Sequence, residues 1–483
     1  MKQSATLLLA KKFIAHTLKQ KVFWALWLLF ALLLVYAGIA GYRQLTIQNN
    51  IAEQFQAAAR KSWEANPDKH PHRMAHFGSF ALRAKHPLGL FDFGMNNYAG
   101  NAVFLEAHKQ NSVIYSEASF STGLLRMGEL HIAMLLQVIL PLVLIFLGYG
   151  SIAADRENGA LKIIISQGIS ARGLLMGRAI GLWLTGLLFL LPAMLLGLVL
   201  GNLHHPAHST IELPQRFLLL TLLYLVFLWV MAVFIVFISS KAKTPAASLL
   251  SLLSLWLLLA VLLPKTIHVL ASALYPSPSK LSFETAIEKD IVQQGDSHNP
   301  NDPFFKNIKD SVLKKYGADS ASQLPVNLGG IIGKAGEKLS SETYAAHQKK
   351  LTALHRKQIG LAKWFAWADP FIMVKNNSMA LAASDFETYT SFQEQAEAYR
   401  YKLAQQMNDL QIALVANTAP KEGSHLLHID KKHWNELEDF QYKFMSTSTV
   451  IKNERITLLA MLSWLVLSFG ALFHGARSFK IIK

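Results

Sequence analysis

Six apolar runs of roughly twenty residues each decide what this chain can fold into. They lie at 22–42, 130–153, 173–201, 217–239, 245–264 and 456–476. A helix of about 20 apolar residues is long enough to cross a hydrocarbon core of about 30 Å. Soluble folds rarely carry even one such run. The sequence therefore reads as a mainly α, polytopic membrane protein with six transmembrane helices and two extracytoplasmic regions, the larger mostly helical.

Orientation follows from charge. Lys and Arg number 47 against 31 Asp and Glu, a net charge of +16. In a membrane protein this excess reads as the basic bias of cytoplasmic loops rather than as a nucleic-acid surface. Both termini, the 154–172 connection and the turn at Lys241 and Lys243 carry it, whereas the 202–214 loop has no Lys or Arg. The termini are thus expected in the cytoplasm, of a bacterial inner membrane on the resemblance given below, with 43–129 and 275–455 outside, 202–216 a short outer loop and 477–483 a cytoplasmic tail. Residues 1–21 hold five lysines among Leu7, Leu8, Leu9, Phe13, Ile14 and Leu18, the pattern of an amphipathic helix lying on the membrane face. The first span reads as retained rather than cleaved, because no small-residue cleavage site follows it.

The first outer region is expected to begin as a helix over Ile47–Ala65 continuing out of the membrane. A small folded unit then follows, with Phe77, Phe80, Leu82, Leu90, Phe91, Phe93, Val103 and Phe104 as its core. In the second, the pattern predicts helices over Glu337–Trp367, Phe386–Asn417 and Lys432–Asn453, with turn-rich sequence between Gly295 and Gly333.

Enzyme signatures are wanting. Gly329–Gly336 (GGIIGKAG) lacks the spacing and the Ser/Thr of a phosphate loop, and no HExxH occurs. With no cysteine, disulfides and thiolate metal or redox sites are excluded. None of the six spans contains Asp or Glu, which argues against an ion-coupled carrier or cation channel. His70, His72 and His76, and again His204, His205 and His208, form clusters that a transition metal could use. Each lies beside proline in a loop, so the reading is exposed loop residues and no metal site.

The densest local signals fall between the second and third spans. Asp155 and Glu157 are placed to start a short helix, where negative charge is favoured. An apolar run with Lys162 in it follows, Gly168 permits a reversal, and Ser170 can cap the next helix, with Ile169 and Leu174 as a staple. Gly173, Gly177, Gly181 and Thr185 then recur every fourth residue, a stripe that admits a closely packed helix. A weaker stripe is Ala247, Ser251 and Leu255.

The same stretch resembles a known family. Glu157-Asn158-Gly159-Ala160-Leu161, Ser166-Gln167-Gly168-Ile169-Ser170 and Arg172-Gly173-Leu174-Leu175-Met176-Gly177-Arg178 resemble the signature of ABC-2 type exporter permeases. Gly168 stands where that family often has proline, and Arg178 where it often has lysine. A second set is similar to an uncharacterised extracytoplasmic domain of one bacterial subset, related to permeases of copper-enzyme-maturation systems. It comprises Asp369-Pro370, Met379 through Asp385, Phe392, Ala396-Glu397, Tyr399-Arg400 and Met407-Asn408.

The resemblance implies a permease subunit with no catalytic residue and no cofactor of its own. ATP and Mg²⁺ would sit in a separate cytoplasmic ABC ATPase, present in two copies, with a second permease copy or paralogue completing the complex. Residues 1–21 would be its connecting helix and 154–172 its coupling segment. The contacts to the ATPase would come from Asp155, Arg156, Glu157, Gly159, Leu161, Lys162, Ile164, Gln167, Ser170 and Arg172. Membrane lipids and a periplasmic protein are further expected partners. Within this reading the chain either exports a substrate between its spans or moves its outer domains against a partner. Outside it stands a membrane-anchored sensor or assembly factor that uses no ATPase.

Overall fold

The structure is a computed structural model. It describes residues 5–111, 113, 114, 116, 130–203, 212–295, 299, 301–417 and 427–479. The histidines at 204, 205 and 208 lie outside these residues.

The chain opens with α1 (Ala5–Lys19) lying against the bundle, followed by α2 (Lys21–Glu64). At 44 residues, α2 is about 66 Å long at 1.5 Å per residue, so the predicted span and the helix beyond it are one rod. Next come α3 (Pro71–Phe77) and a three-stranded antiparallel sheet, β1 (Ser79–Leu82), β2 (Ala102–Glu106) and β3 (Lys109–Gln110), in the order β1-β2-β3.

The second span is α4 (Ile132–Met134), a π turn over Leu135–Ile139 and α5 (Leu140–Gly148). Pro141 explains the wide turn: its ring has no N–H to offer and would clash with the carbonyl four residues back. The fifth span repeats the device. α10 (Pro245–Leu257) passes through a π turn at Leu258–Leu262 into α11 (Leu263–Leu274). This corrects the expected end of that span at residue 264, because the widened turn carries the helix past Pro264. Between these lie α6 (Ala153–Glu157), α7 (Ala160–Ser166), α8 (Ala171–Asn202) and α9 (Leu213–Lys241).

The large domain holds α12 (Lys280–Gln294), α13 (Pro303–Tyr316), α14 (Leu328–Phe365), α15 (Pro370–Leu381), α16 (Phe386–Leu414), α17 (Lys432–Asn435) and α18 (Thr447–Asn453). The last span is α19 (Arg455–Arg477). Among the described residues, six helical segments are thus long and apolar enough to cross a membrane.

Three expectations are corrected. The helix predicted over Lys432–Asn453 is only α17 and α18, with the chain between them running without helix across α16. Phe440, Tyr442 and Phe444 alternate with a period of two, the first two packing on Phe392. Gln395 accepts from the Lys443 N–H (3.0 Å) and donates to its carbonyl (2.9 Å), standing in for a neighbouring strand.

The 43–129 region, secondly, has no core of its own among the described residues. Leu90 and Phe91 are buried with the spans, and Val103 packs with Phe392 and Ala396 of α16. Phe80 and Phe104 pack as tilted rings, and Phe80 meets Phe55 of α2 edge to face.

The third correction concerns depth. Residues 275–455 read as wholly outside, yet α15 inserts between α9 and α19. Phe371 meets Phe227 edge to face, and the Ala366 carbonyl just before α15 accepts from Trp464 of α19. Pro370 lines a small gap together with Met231 and Trp256, near the middle of their helices. At twelve residues and with polar positions, α15 is too short and too mixed for hydropathy to detect.

Candidate functional site

The connection between the second and third spans is a hub. The short acidic start expected for one helix is in fact a separate helix, α6, and α7 begins afresh after Gly159, whose φ of 82° is left-handed. Asp155 and Glu157 therefore do not head the apolar run. Gly168, with φ 81°, makes the reversal, and Ser170 caps α8 by accepting from the Gly173 N–H at 3.1 Å.

Each neighbouring element grips this hub by a different chemistry. Asp155 Oδ2 accepts from Arg178 Nη2 of α8 at 2.6 Å. Ser239, near the end of α9, accepts from the Ile152 and Ala153 N–H groups (3.1 Å each) and donates to the Tyr149 carbonyl (2.7 Å). Arg156 donates to the Ser240 carbonyl at 2.7 Å. Arg172 lies over the Phe473 ring of α19, 4.5 Å from its centroid.

Within α7 the two faces differ sharply. Leu161 is 1% exposed and belongs to the main core, whereas Ile163 is 61% exposed. Ile164 is half-buried against the core; Glu157, Lys162 and Gln167 are exposed. Sequence reasoning named Ile164 and missed Ile163, since a run of five apolar residues does not say which of them points outward.

The stripe of small residues receives α1. A Cβ on Gly177 would lie 2.8 Å from both the Leu9 Cβ and the Thr6 carbonyl oxygen, and one on Gly181 would lie 2.9 Å from the Phe13 Cβ. Thr185 donates to the Gly181 carbonyl at 2.9 Å and is buried. The weaker stripe is different: Ala247 and Ser251 are exposed.

α9 carries contacts at its other end as well. Buried Arg216 donates to the Leu381 carbonyl at 3.2 Å, to that of Ala380 at 3.4 Å, and to that of Met445. It thereby satisfies carbonyls at the end of α15. Tyr224 accepts from Gln137 Nε2 at 2.8 Å and meets Ser378 Oγ at 3.0 Å. Ser378 in turn donates to Asp92 at 2.5 Å. α19 joins through Thr457, which donates to Asn377 at 3.0 Å. One helix thus joins the hub at one end and the large domain at the other.

Asp369 brings a carboxylate into the bundle from outside the six spans. Its Oδ1 caps α15 by accepting from the Phe371 N–H at 2.8 Å, while Oδ2 meets no hydrogen-bond donor among the described residues.

In the large domain, Arg400 of α16 donates to Glu337 Oε1 of α14 at 2.6 Å, both side chains being almost fully enclosed. Burial pushes the Glu337 carboxyl up, and the His108 hydrogen bonds with the Arg400 charge outweigh it, bringing the group down to about 2. The same two helices and β2 wall a cleft of about 500 Å³, lined by Leu105, Tyr344, Gln348, Glu394 and Arg400 among others. His70 caps α3, accepting from the His72 N–H at 3.2 Å. His72 and His76 instead meet His108.

Residues 97–276 match the model of the ABC-2 family transporter proteins, and residues 280–443 match a domain of unknown function, DUF3526. The chain thus carries an ABC-2 family transporter domain followed by a DUF3526 domain, an arrangement consistent with an ABC-2 permease that has a large additional domain. The two matches meet at α12, where Ser279 caps a new helix after the end of α11. The ABC-2 match contains the hub, the glycine stripe and α9; the DUF3526 match contains α15 and the Arg400–Glu337 pair. No curated protein matches the chain. The ABC-2 match and the six apolar helices among the described residues together support a multi-pass membrane protein.

Proposed function

We propose that this ABC-2 permease is the membrane subunit of an ABC exporter whose ATP hydrolysis takes place in a separate cytoplasmic ATPase. The observation that carries the reading is the two-faced hub. Glu157, Lys162, Ile163 and Gln167 stand exposed, while Leu161, Asp155 and Arg156 fix the same segment to α8, α9 and the core. A surface that is open on one side and clamped on the other passes a push from an outside partner to the spans.

In this reading the termini and the hub face the bacterial cytoplasm, two ATPase copies bind ATP and Mg²⁺, and the permease contributes no catalytic residue. A second permease copy or paralogue and lipid cover the spans at 21–64, 245–274 and 455–477, whose apolar windows are 28%, 11% and 22% buried.

Between export through the bundle and movement of the outer domains, the insertion of α15 supports the second. Motion of α9 reaches the DUF3526 domain through Arg216, Tyr224 and Ser378, and an outer protein partner would receive it there.

The test is co-purification with the ATPase. Ile163→Asp is expected to abolish the complex, and Ile164→Ser to weaken it less. Retention of the complex in Ile163→Asp overturns the docking surface. ATPase stimulation by lipid alone, rather than by an outer protein, would favour export.

A further inference from the structure

We propose that His72, His76 and His108 form a binding site for a divalent transition ion of the zinc and copper class, on the side of the bundle that carries the DUF3526 domain. One ligand nitrogen from each residue lies within 4.8 Å of the other two. The ring centroids are 4.7 Å apart for His72 and His76, and 5.4 Å from each of these to His108.

The three arrive by independent routes. His72 and His76 are four residues apart on α3 and so share one face of it. His108 lies in the tight turn between β2 and β3, which is tied to α3 by the Ala107 N–H donating to the Ala75 carbonyl at 3.2 Å. Its φ is 61°, a left-handed conformation that a non-glycine residue adopts only at an energetic cost.

What holds His108 there is a carboxylate. Glu337 Oε2 accepts from the His108 backbone N–H at 2.9 Å and lies 3.2 Å from Nδ1 of its ring. Arg400 fixes the other oxygen of Glu337 at 2.6 Å. A carboxylate on one ring nitrogen sets the tautomer and aims the other nitrogen at a metal, as in carboxylate–histidine–metal arrangements. Nε2 is then the ligand atom of His108.

Three neutral imidazoles suit zinc, copper or nickel, and three protein ligands leave a position open for water or a partner's group. With metal–nitrogen bonds of about 2.0–2.1 Å, tetrahedral ligand nitrogens stand about 3.3 Å apart. The ligand nitrogens therefore close by up to about 1.5 Å on binding. His76, which is exposed, would supply that rotation.

The test uses the full chain without an affinity tag, in detergent, stripped with chelator and titrated separately with Zn²⁺ and Cu²⁺. It needs no ATPase, so its result is independent of the coupling reading. One equivalent of metal per chain should survive gel filtration, and the melting temperature should rise with metal. His76→Ala and His108→Asn should each lose both effects; asparagine tolerates the left-handed backbone, so the turn is kept. Glu337→Gln should retain the site with affinity about 10–100-fold weaker. Absence of a stoichiometric ion in the wild type overturns the proposal. So does retention unchanged in both folded histidine variants.

Discussion

Asp155 and Arg178 are joined by a 2.6 Å ion pair that ties α6 to α8 one residue beyond Gly177, where α1 packs closest. The Arg178 guanidinium also lies 5.8 Å from the centroid of the Phe13 ring of α1. Three elements of the hub therefore meet at one cation, and displacement of α6 displaces α1 and α8 with it.

That pair should show a measurable coupling energy. Both side chains are about one-fifth exposed, between the exposed pairs that contribute almost nothing and fully buried ones. A double-mutant cycle with Asp155→Asn and Arg178→Met, read by thermal unfolding in detergent, should give about 1 kcal/mol of interaction. Strict additivity of the two single changes would show that the contact does not bear on stability.

Close packing at the glycines predicts a second result. A methyl group on Gly177 or Gly181 would sit under 3.0 Å from α1, so α1 must shift or detach. Overpacking of this kind costs about 1–3 kcal/mol. Gly177→Ala should lower the melting temperature and make α1 more accessible to protease, while Gly470→Ala in α19, which meets nothing within 4 Å, should do neither.

The spans, the Ser170 cap, the Gly168 reversal and the stripe were legible in the sequence because each depends on neighbours a few residues away. The turn pattern around Gly159 was legible only in outline: nothing local says that Glu157 ends one helix instead of starting the next. What the sequence could not reveal were relations between distant segments. α15 looks like an ordinary outer helix until Arg216, Tyr224 and Trp464 are seen to receive it. His108 carries no signal of its own, since only the hairpin brings it to His72 and His76. The period-two run Phe440, Tyr442, Phe444 was a readable sign against helix, outweighed by the helix-forming residues before it.

The lack of native cysteine makes a clean accessibility test of hub and topology. Ile163→Cys should react quickly with a membrane-impermeant maleimide from the face that carries the termini, and Leu161→Cys should not. Lys314→Cys, on an exposed face of α13, should react only from the opposite side. Labelling of both Ile163→Cys and Lys314→Cys from the same side would overturn the topology.

Acid stability should report the Glu337–Arg400 pair. Glu337 is fully buried, and its carboxyl falls from its ordinary value of 4.5 to about 2 in the fold. A depressed carboxyl pKa contributes stability that is fully present above 4.5 and is lost as pH falls through 4.5 toward 2, because the unfolded chain takes up the proton first. The shift corresponds to about 3 kcal/mol. Glu337→Gln removes the charge but keeps the shape, leaving buried Arg400 with Glu397 at 2.8 Å as its remaining carboxylate. It should destabilise the large domain by about 3 kcal/mol at pH 7 and flatten the acid limb of the unfolding curve between pH 5 and 2. Lys334→Ala breaks an exposed pair with Asp409 and should leave both unchanged. An unaltered acid limb in Glu337→Gln would mean that other carboxylates set the acid stability of this domain.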